Sequence, residues 1–390
     1  MTFSPGPSGL RVAHVGAFGH AAVNGVSQAV GTYLRALQAL GAQVQHWDLT
    51  ADYRDIGYTD AGYPVYHLPI SSRLGRKVLG LPPVTQRFLR EHLEDIDLVH
   101  LHLTFTGENP HLMRLCARAH RPFVLTPHGG YDAGRLESRA LLKRVWYPVF
   151  ERPMLRRAAF LHALQQQEAT ALQRLAHEQH IVVLPNPVPV IQEPGPFAER
   201  DVLLFIGRFD VAQKGLDLLV RAYAQARDAG LQLPLHLVGP DFRGGRDHLE
   251  ALLAEKHLTG KVTLHGPVNA VGRLAWLGRA RAFVAPSRHE GLPMAPLEAL
   301  AAGVPLILTP GTHLDGLVEA AGAGWAVKGN ESALAAALLA AEALPAAEWQ
   351  HRSARACDLV EQRYSPDAFA STLLREYQYA LDRVHDRRSK

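Results

Sequence analysis

Residues 202–239 read VLLFIGRFDVAQKGLDLLVRAYAQARDAGLQLPLHLVG. The stretch opens on an apolar run stopped by Gly207 and closes on Leu235-His-Leu-Val-Gly239, a second such run. Between them, Leu216 to Ala229 is amphipathic at helical spacing. Strand, helix, strand of this kind is a βαβ unit, whose parallel strands are buried on both faces. The same grammar continues downstream. Strands are expected at Val262 to Gly266, Ala282 to Ala285, Val304 to Thr309 and Gly324 to Val327. Helices are expected at Asp247 to Lys256, Val271 to Leu277 and Leu297 to Ala302. Residues 330–363 read as helical, and a last helix covers Ala368 to His385.

Working towards the N-terminus, Leu184-Pro-Asn-Pro-Val-Pro189, with Pro194, Gly195 and Pro196, reads as a linker between domains. Upstream of it, Arg11 to Gly16, Gln43 to Trp47, Asp97 to Leu103 and Pro122 to Thr126 are strand-like, and Gly25 to Leu40 is helical. The expected class is α/β, with two Rossmann-like doubly wound domains facing across a cleft lined by the carboxyl ends of both sheets. The boundaries drawn are 1–187, 188–365 and a C-terminal helix over 366–390.

Composition narrows the possibilities. The 390 residues are 47% hydrophobic and 20% charged, enough for packed cores and unlike a disordered chain. No run approaches the roughly 18 apolar residues of a membrane helix. The N-terminus lacks a basic region followed by a cleavable apolar core, so a cytoplasmic protein is expected. Cys116 and Cys357 form no CxxC and read as reduced structural residues. Residues 1–190 carry 19 Lys/Arg against 14 Asp/Glu, and residues 191–390 carry 22 against 23, so the basic excess lies in the first half. Without a long basic block or an aromatic RNA-binding pattern, nucleic acid is not the expected partner. An anionic substrate or an anionic membrane surface would suit such a patch.

Chemistry in this architecture belongs to the loops after the strands. The most specific one is His289-Glu-Gly-Leu-Pro-Met-Ala-Pro-Leu-Glu298. Glu290 lies in the loop after Ala282 to Ala285, Pro293 suits a helix start, and Glu298 falls inside that helix. Gly291 allows close backbone approach, and the helix start offers free N–H groups to an anion. Two carboxylates so placed can hold sugar hydroxyls; the alternative is a capping glutamate and a solvated one. Gly207-Arg208 and Lys214-Gly215 follow an earlier strand of the same domain. A guanidinium fork and a lysine point charge there suit a diphosphate, against the alternative of two surface cations. Together the four charged residues point to a nucleotide-sugar site.

These pieces resemble the retaining glycosyltransferases of family 4, the group 1 glycosyltransferases with GT-B architecture. The second half carries Phe205-Ile-Gly-Arg-Phe, Gln213-Lys-Gly-Leu-Asp217, Val262-Thr-Leu-His-Gly266, Ala285-Pro-Ser-Arg-His-Glu-Gly-Leu-Pro and Leu297-Glu-Ala-Leu-Ala-Ala-Gly-Val-Pro305. The first half carries Asn24-Gly-Val-Ser27, Leu98-Val-His-Leu-His102, Thr126-Pro-His-Gly-Gly130 and Leu184-Pro-Asn-Pro187. The region continuing through Phe150-Glu-Arg and Leu155-Arg-Arg-Ala158 is similar to exopolysaccharide and capsule transferases.

The resemblance implies an acceptor-binding first domain, a donor-binding second domain and a last helix returning to the first. Arg208 and Lys214 would bind the donor diphosphate and stabilise the leaving group. Gly207 belongs to the same turn. Glu290, with the backbone of Gly291 and Leu292, would hold the donor sugar, and Glu298 the ribose. Gly266 and Val268 would lie near the base. Gly25 would let the diphosphate approach the first domain, and His128 would face the donor sugar. The reaction implied is transfer from a UDP- or GDP-sugar to a glycan or lipid-linked acceptor in cell-surface polysaccharide synthesis. It retains the anomeric configuration and needs no cofactor and no obligatory metal. A nucleotide-sugar epimerase and a non-catalytic donor-binding scaffold are the alternatives. Gly291-Leu292-Pro293 stands where the family usually has Gly-Phe-Gly, and no double glycine ends the loop Gly16 to Gly25.

Other readings fare worse. Asp95-Ile-Asp97 spells D-x-D, but it precedes its strand and so lies away from the cleft. His100 and His102 share one strand face, yet a zinc site would need His128 or His111 as a third ligand. His102 is instead expected to line the acceptor side of the cleft. Gly16, Gly19 and Gly25 do not spell G-x-G-x-x-G, and Ser287 lacks the G-x-S-x-G elbow. Arg73 to Leu81 and Arg135 to Arg157 mix basic with apolar residues. They read either as a solvated face or as a peripheral contact with the inner face of a membrane.

Overall fold

The computed structural model describes residues 9–16, 25–50, 54–70, 81–131, 146–189, 191 and 196–388. The chain divides into two compact units, Met1–Pro187 with Pro366–Lys390, and Val188–Ser365.

The first unit is built on an eight-stranded sheet: β1 (Arg11–Gly16), β2 (Gln43–Thr50), β3 (Gly57–Asp60), β4 (Pro64–Pro69), β5 (Leu98–His102), β6 (Phe123–Thr126), β7 (Leu161–Ala163) and β8 (Ile181–Val183). The order is β3-β4-β2-β1-β5-β6-β7-β8. All neighbours are parallel except the β3–β4 hairpin at one edge. Every residue of β5 and β6 is buried, because helices cover both faces. On one face the helix Gly25–Ala39 packs with the C-terminal helix Pro366–Arg388. Leu34 and Leu37 share a core there with Phe369, Leu373 and Tyr377.

The second unit has six parallel strands: β9 (Val202–Ile206), β10 (Leu235–Val238), β11 (Val262–His265), β12 (Ala280–Ala285), β13 (Leu306–Leu308) and β14 (Gly324–Ala326), ordered β11-β10-β9-β12-β13-β14. One face packs on the helices Leu216–Asp228, Gly245–Glu255 and Glu331–Ala343. The other packs on Ala270–Arg279, Met294–Ala301, Asp315–Ala321 and Ala346–Tyr364. The stretch read as helical over 330–363 is two helices. Pro345 separates them, and the Asn330 side chain caps the first by accepting from Ala333 N–H at 2.9 Å.

Chain order reverses around β1 in the first sheet and around β9 in the second. In doubly wound sheets that reversal opens a crevice beyond the strand ends. Asp97 of the D-x-D instead takes Arg11 Nη2 at 2.7 Å and the Arg11 main-chain N–H at 2.9 Å, a clasp at the amino ends of β1 and β5. Among the described residues no helix is long and apolar enough to cross a membrane. Residues 73–80 and 135–145 of the basic stretches lie outside the described residues.

Candidate active site

The loops after β9 and β12 leave neighbouring strands at the reversal point. They are stitched together, and Gln213 is the residue that does it. Its carbonyl accepts from Arg288 N–H at 2.9 Å, its Nε2 donates to the His289 carbonyl at 3.2 Å, and its Oε1 accepts from Arg208 Nη2. The short helix Val211–Lys214 that presents Gln213 is capped by Asp210, whose Oδ1 accepts from Gln213 N–H at 3.1 Å. Lys214 then reaches the second loop. Its Nζ lies 2.5 Å from Glu290 Oε1, and Ser287 Oγ donates to the same oxygen at 2.8 Å. Both side chains are largely buried, at 19% and 9% exposure. Arg208, following Gly207 at the end of β9, lies over the Phe242 ring at 4.7 Å and 3.4 Å from Asp210.

Gly215 makes the stitching possible. Its φ is +65°, and a Cβ there would stand 2.1 Å from the Pro286 carbonyl oxygen. Gly215→Ala is expected to cost about 3 kcal/mol, from left-handed strain plus forced separation of the loops. A urea midpoint equal to that of the unsubstituted protein would show that the loops need no such closeness. Behind the loops, Arg288 grips Asp217 through two contacts of 2.8 Å. Burial opposes ionisation of Asp217, but Arg288 and Arg221 hold its carboxyl below the usual carboxylate range.

Glu298 lies inside the helix Met294–Ala301 that follows the second loop. Arg273 Nη1 meets its two oxygens at 2.7 and 2.5 Å. Burial pushes the Glu298 carboxyl up, with Arg273 pulling against it. Arg273 stands on the helix after β11, so this pair ties in the loop that holds Gly266 and Val268. Gly266 is exposed and open on its Cβ side, while Val268 is half-buried against the core. Gly291 is exposed and Leu292 partly buried. The four charged residues therefore stand as one ion pair, one arginine bridged to it through Gln213, and a second ion pair with Arg273. Arg273 and Gln213 escaped sequence reasoning because their partners come from other loops.

Gly25 and His128 belong to the first unit. Gly25 is the first residue of its helix; residues 17–24 before it lie outside the described residues. His128 follows β6, is buried, and adopts φ +53°. Its Nε2 lies 2.9 Å from His102 Nδ1. His102 does not line a surface as expected. It is fully buried, because its strand lies mid-sheet with helices on both sides, and its Nε2 meets His14 Nδ1 at 3.0 Å. Among the described residues, the buried trio whose nitrogens approach within 4.8 Å of one another is His14, His100 and His102, not a set with His128 or His111.

The group 1 family model, described as "Glycosyl transferases group 1", matches residues 200–342, the segment that carries Arg208, Lys214, Glu290 and Glu298. The "Glycosyl transferase 4-like domain" model matches residues 24–187. The chain belongs to the group 1 glycosyltransferases. This glycosyltransferase is 26% identical, over 77% of its length and 78% of the relative's, to the GDP-mannose:cellobiosyl-diphosphopolyprenol alpha-mannosyltransferase of Xanthomonas campestris. Its fold is GT-B. It matches the sucrose-phosphate synthase of Thermosynechococcus elongatus with a TM-score of 0.74 at 20% identity, covering 95% of this chain and 98% of that one. Anabaena HepE, solved in complex with UDP and glucose, matches with a TM-score of 0.71 at 15% identity, covering 95% and 100%.

Proposed function

We propose that this glycosyltransferase moves a sugar, with retained configuration, from a UDP- or GDP-sugar to a glycan or lipid-linked acceptor in cell-surface polysaccharide synthesis. The observation that carries this reading is the Lys214–Glu290 pair, set with Arg208 on adjoining loops at the sheet's reversal point. A cation for a phosphate and a carboxylate for hydroxyls stand side by side there, matching the two ends of a sugar-diphosphate bond. The likeness over 77% of this chain to a GDP-mannose:cellobiosyl-diphosphopolyprenol alpha-mannosyltransferase supports the acceptor class.

In this reading Lys214 and Arg208 hold the diphosphate, Glu290 holds the donor sugar and Glu298 the ribose. Gly207, Gly291 and Leu292 supply close backbone, and Gly266 and Val268 border the base. Gly25 and His128 contribute from the first unit. The acceptor oxygen attacks the anomeric carbon on the face the phosphate leaves. The bond from that carbon to the phosphate oxygen breaks, and the acceptor's proton passes to the departing phosphate. The two cations stabilise the charge that develops there, so no divalent ion is required.

The test begins with thermal shifts over UDP-, GDP- and ADP-sugars, since a ligand of the native state raises the melting point. With the stabilising donor, release of nucleoside diphosphate on adding acceptor separates transfer from epimerisation. Binding without release across a broad acceptor panel would favour a scaffold. The product's anomeric proton is expected to show the donor's configuration by NMR, and an inverted product would overturn the mechanism. Excess EDTA is expected to leave the rate unchanged; loss of transfer, restored by one divalent ion, would contradict the metal-independent step.

A further inference from the structure

Ser287 is almost wholly buried, at 3% exposure, in the loop after β12 and three residues before Glu290. Its backbone is clamped from the next strand over. Thr309, which follows β13 and is itself buried, donates its hydroxyl to the Ser287 carbonyl at 2.7 Å. Gly311 packs so closely that a Cβ there would stand 2.2 Å from the Ser287 carbonyl oxygen and 2.3 Å from that of Arg288. On the other side Gly215 closes on the Pro286 carbonyl. Loops after three neighbouring strands, β9, β12 and β13, therefore fix the direction in which the Ser287 hydroxyl leaves the chain.

That hydroxyl goes to Glu290. A carboxylate only accepts, so Ser287 Oγ donates to Oε1, at 2.8 Å. Lys214 Nζ meets the same oxygen at 2.5 Å. Among the described residues none donates to Oε2. The last torsion of a glutamate is broad, so a carboxylate held by a lysine's point charge alone can turn its plane. A second donor from a fixed direction settles the plane, and with it where Oε2 points.

We propose that Ser287 is a positioning residue for the donor sugar: it holds Glu290 by Oε1, so that Oε2 is presented to the sugar hydroxyls. This rests on the placement of the sugar at Glu290 proposed above. In that reading Lys214 turns to the diphosphate when the donor enters. The Ser287 hydroxyl is then the one donor left on the carboxylate among the described residues, and it alone keeps the plane set. Thr309 and Gly311 act through Ser287.

Calorimetry on the full-length protein tests this through a ratio: the affinity for the UDP- or GDP-sugar that the thermal-shift screen selects, over that for the corresponding bare UDP or GDP. The nucleotide is common to both ligands, so the ratio isolates the sugar's share of binding. Ser287→Ala is expected to lower the ratio about tenfold, the effect of one lost hydrogen bond to a charged group. The affinity for the bare nucleotide should not change. Thr309→Val, which removes only the hydroxyl behind Ser287, should lower the ratio in the same direction, and serves should the first variant fold poorly. Thr309→Ser keeps that hydroxyl and should keep the ratio. In a Glu290→Ala background Ser287→Ala should have no further effect, because the group it positions is gone. A ratio unchanged in Ser287→Ala and Thr309→Val, but lowered in Glu290→Ala, would overturn the role of Ser287 and leave Glu290 on the sugar. Equal weakening of both ligands would overturn it too, reducing Ser287 to a support of the loop. A tenfold loss that persists in the Glu290→Ala background would mean that Ser287 does not act through Glu290. A ratio that Glu290→Ala leaves unchanged would remove the sugar from this carboxylate, and the role of Ser287 with it.

Discussion

Lys214→Met is expected to slow glycosyl transfer by about a thousandfold, on the order of 4 kcal/mol of lost leaving-group stabilisation. The ammonium is the cation that the structure already holds in the site, 2.5 Å from Glu290. Methionine fills much of the same volume, so the loss reads charge and not a hole. Glu290 would keep the Ser287 hydroxyl but lose its counter-charge at 9% exposure, which lowers stability. The double variant Lys214→Met/Glu290→Gln removes both charges. Its urea midpoint is expected to recover while transfer stays slow. Recovery of transfer along with stability would mean that neither charge takes part in the transfer step. Glu290→Gln alone should also abolish most transfer, and transfer at the unsubstituted rate in both single variants would defeat the assignment.

Acidification is expected to weaken the first unit more than a histidine count suggests. In the unfolded chain these imidazoles titrate near 6.5, while in the fold His14 is pushed down to about 3 and His162 to about 4, chiefly by burial. Below pH 6.5 the unfolded chain therefore binds more protons than the folded one. The contribution to stability is complete above that pH and is lost as pH falls towards the folded values. Between pH 7 and 5 each ring costs about 2 kcal/mol, and the two together about 4. That is a large share of a typical domain stability of about 5–15 kcal/mol. His100 and His102 are displaced the same way. The melting midpoint of the first unit should fall steeply across this window. A midpoint that stays level from pH 7 to 5 would show that the rings are solvated.

The central strands were legible because parallel strands covered on both faces are short, continuous apolar runs ended by a turn residue, as in Val202–Ile206 before Gly207. The β3–β4 hairpin was not: Gly57–Asp60 is largely exposed and carries no apolar run. Nor were β7 and β8, three residues each, too short for periodicity to speak. Glu290 and Lys214 stood out because glycine and proline mark their loops. Their direct contact spans 76 positions and has no local signature. The same holds for Arg273 with Glu298, and for His14 with His102 across 88 positions. His100 and His102 announced a shared strand face. Only the sheet order, which sets β1 beside β5, shows that the face turns inward.

The Lys214–Glu290 pair has a consequence for what can occupy this site and what leaves it. A newcomer must dislodge two opposite charges from each other before it gains either. A bare phosphate compensates the lysine but strands the carboxylate; a free sugar does the reverse. Only a molecule that carries both functions at one linkage replaces the whole contact. In the proposed reading, once transfer severs that linkage the nucleotide would no longer satisfy Glu290, the two side chains would close on each other again, and the spent product would be expelled by the same pairing that screened the substrate.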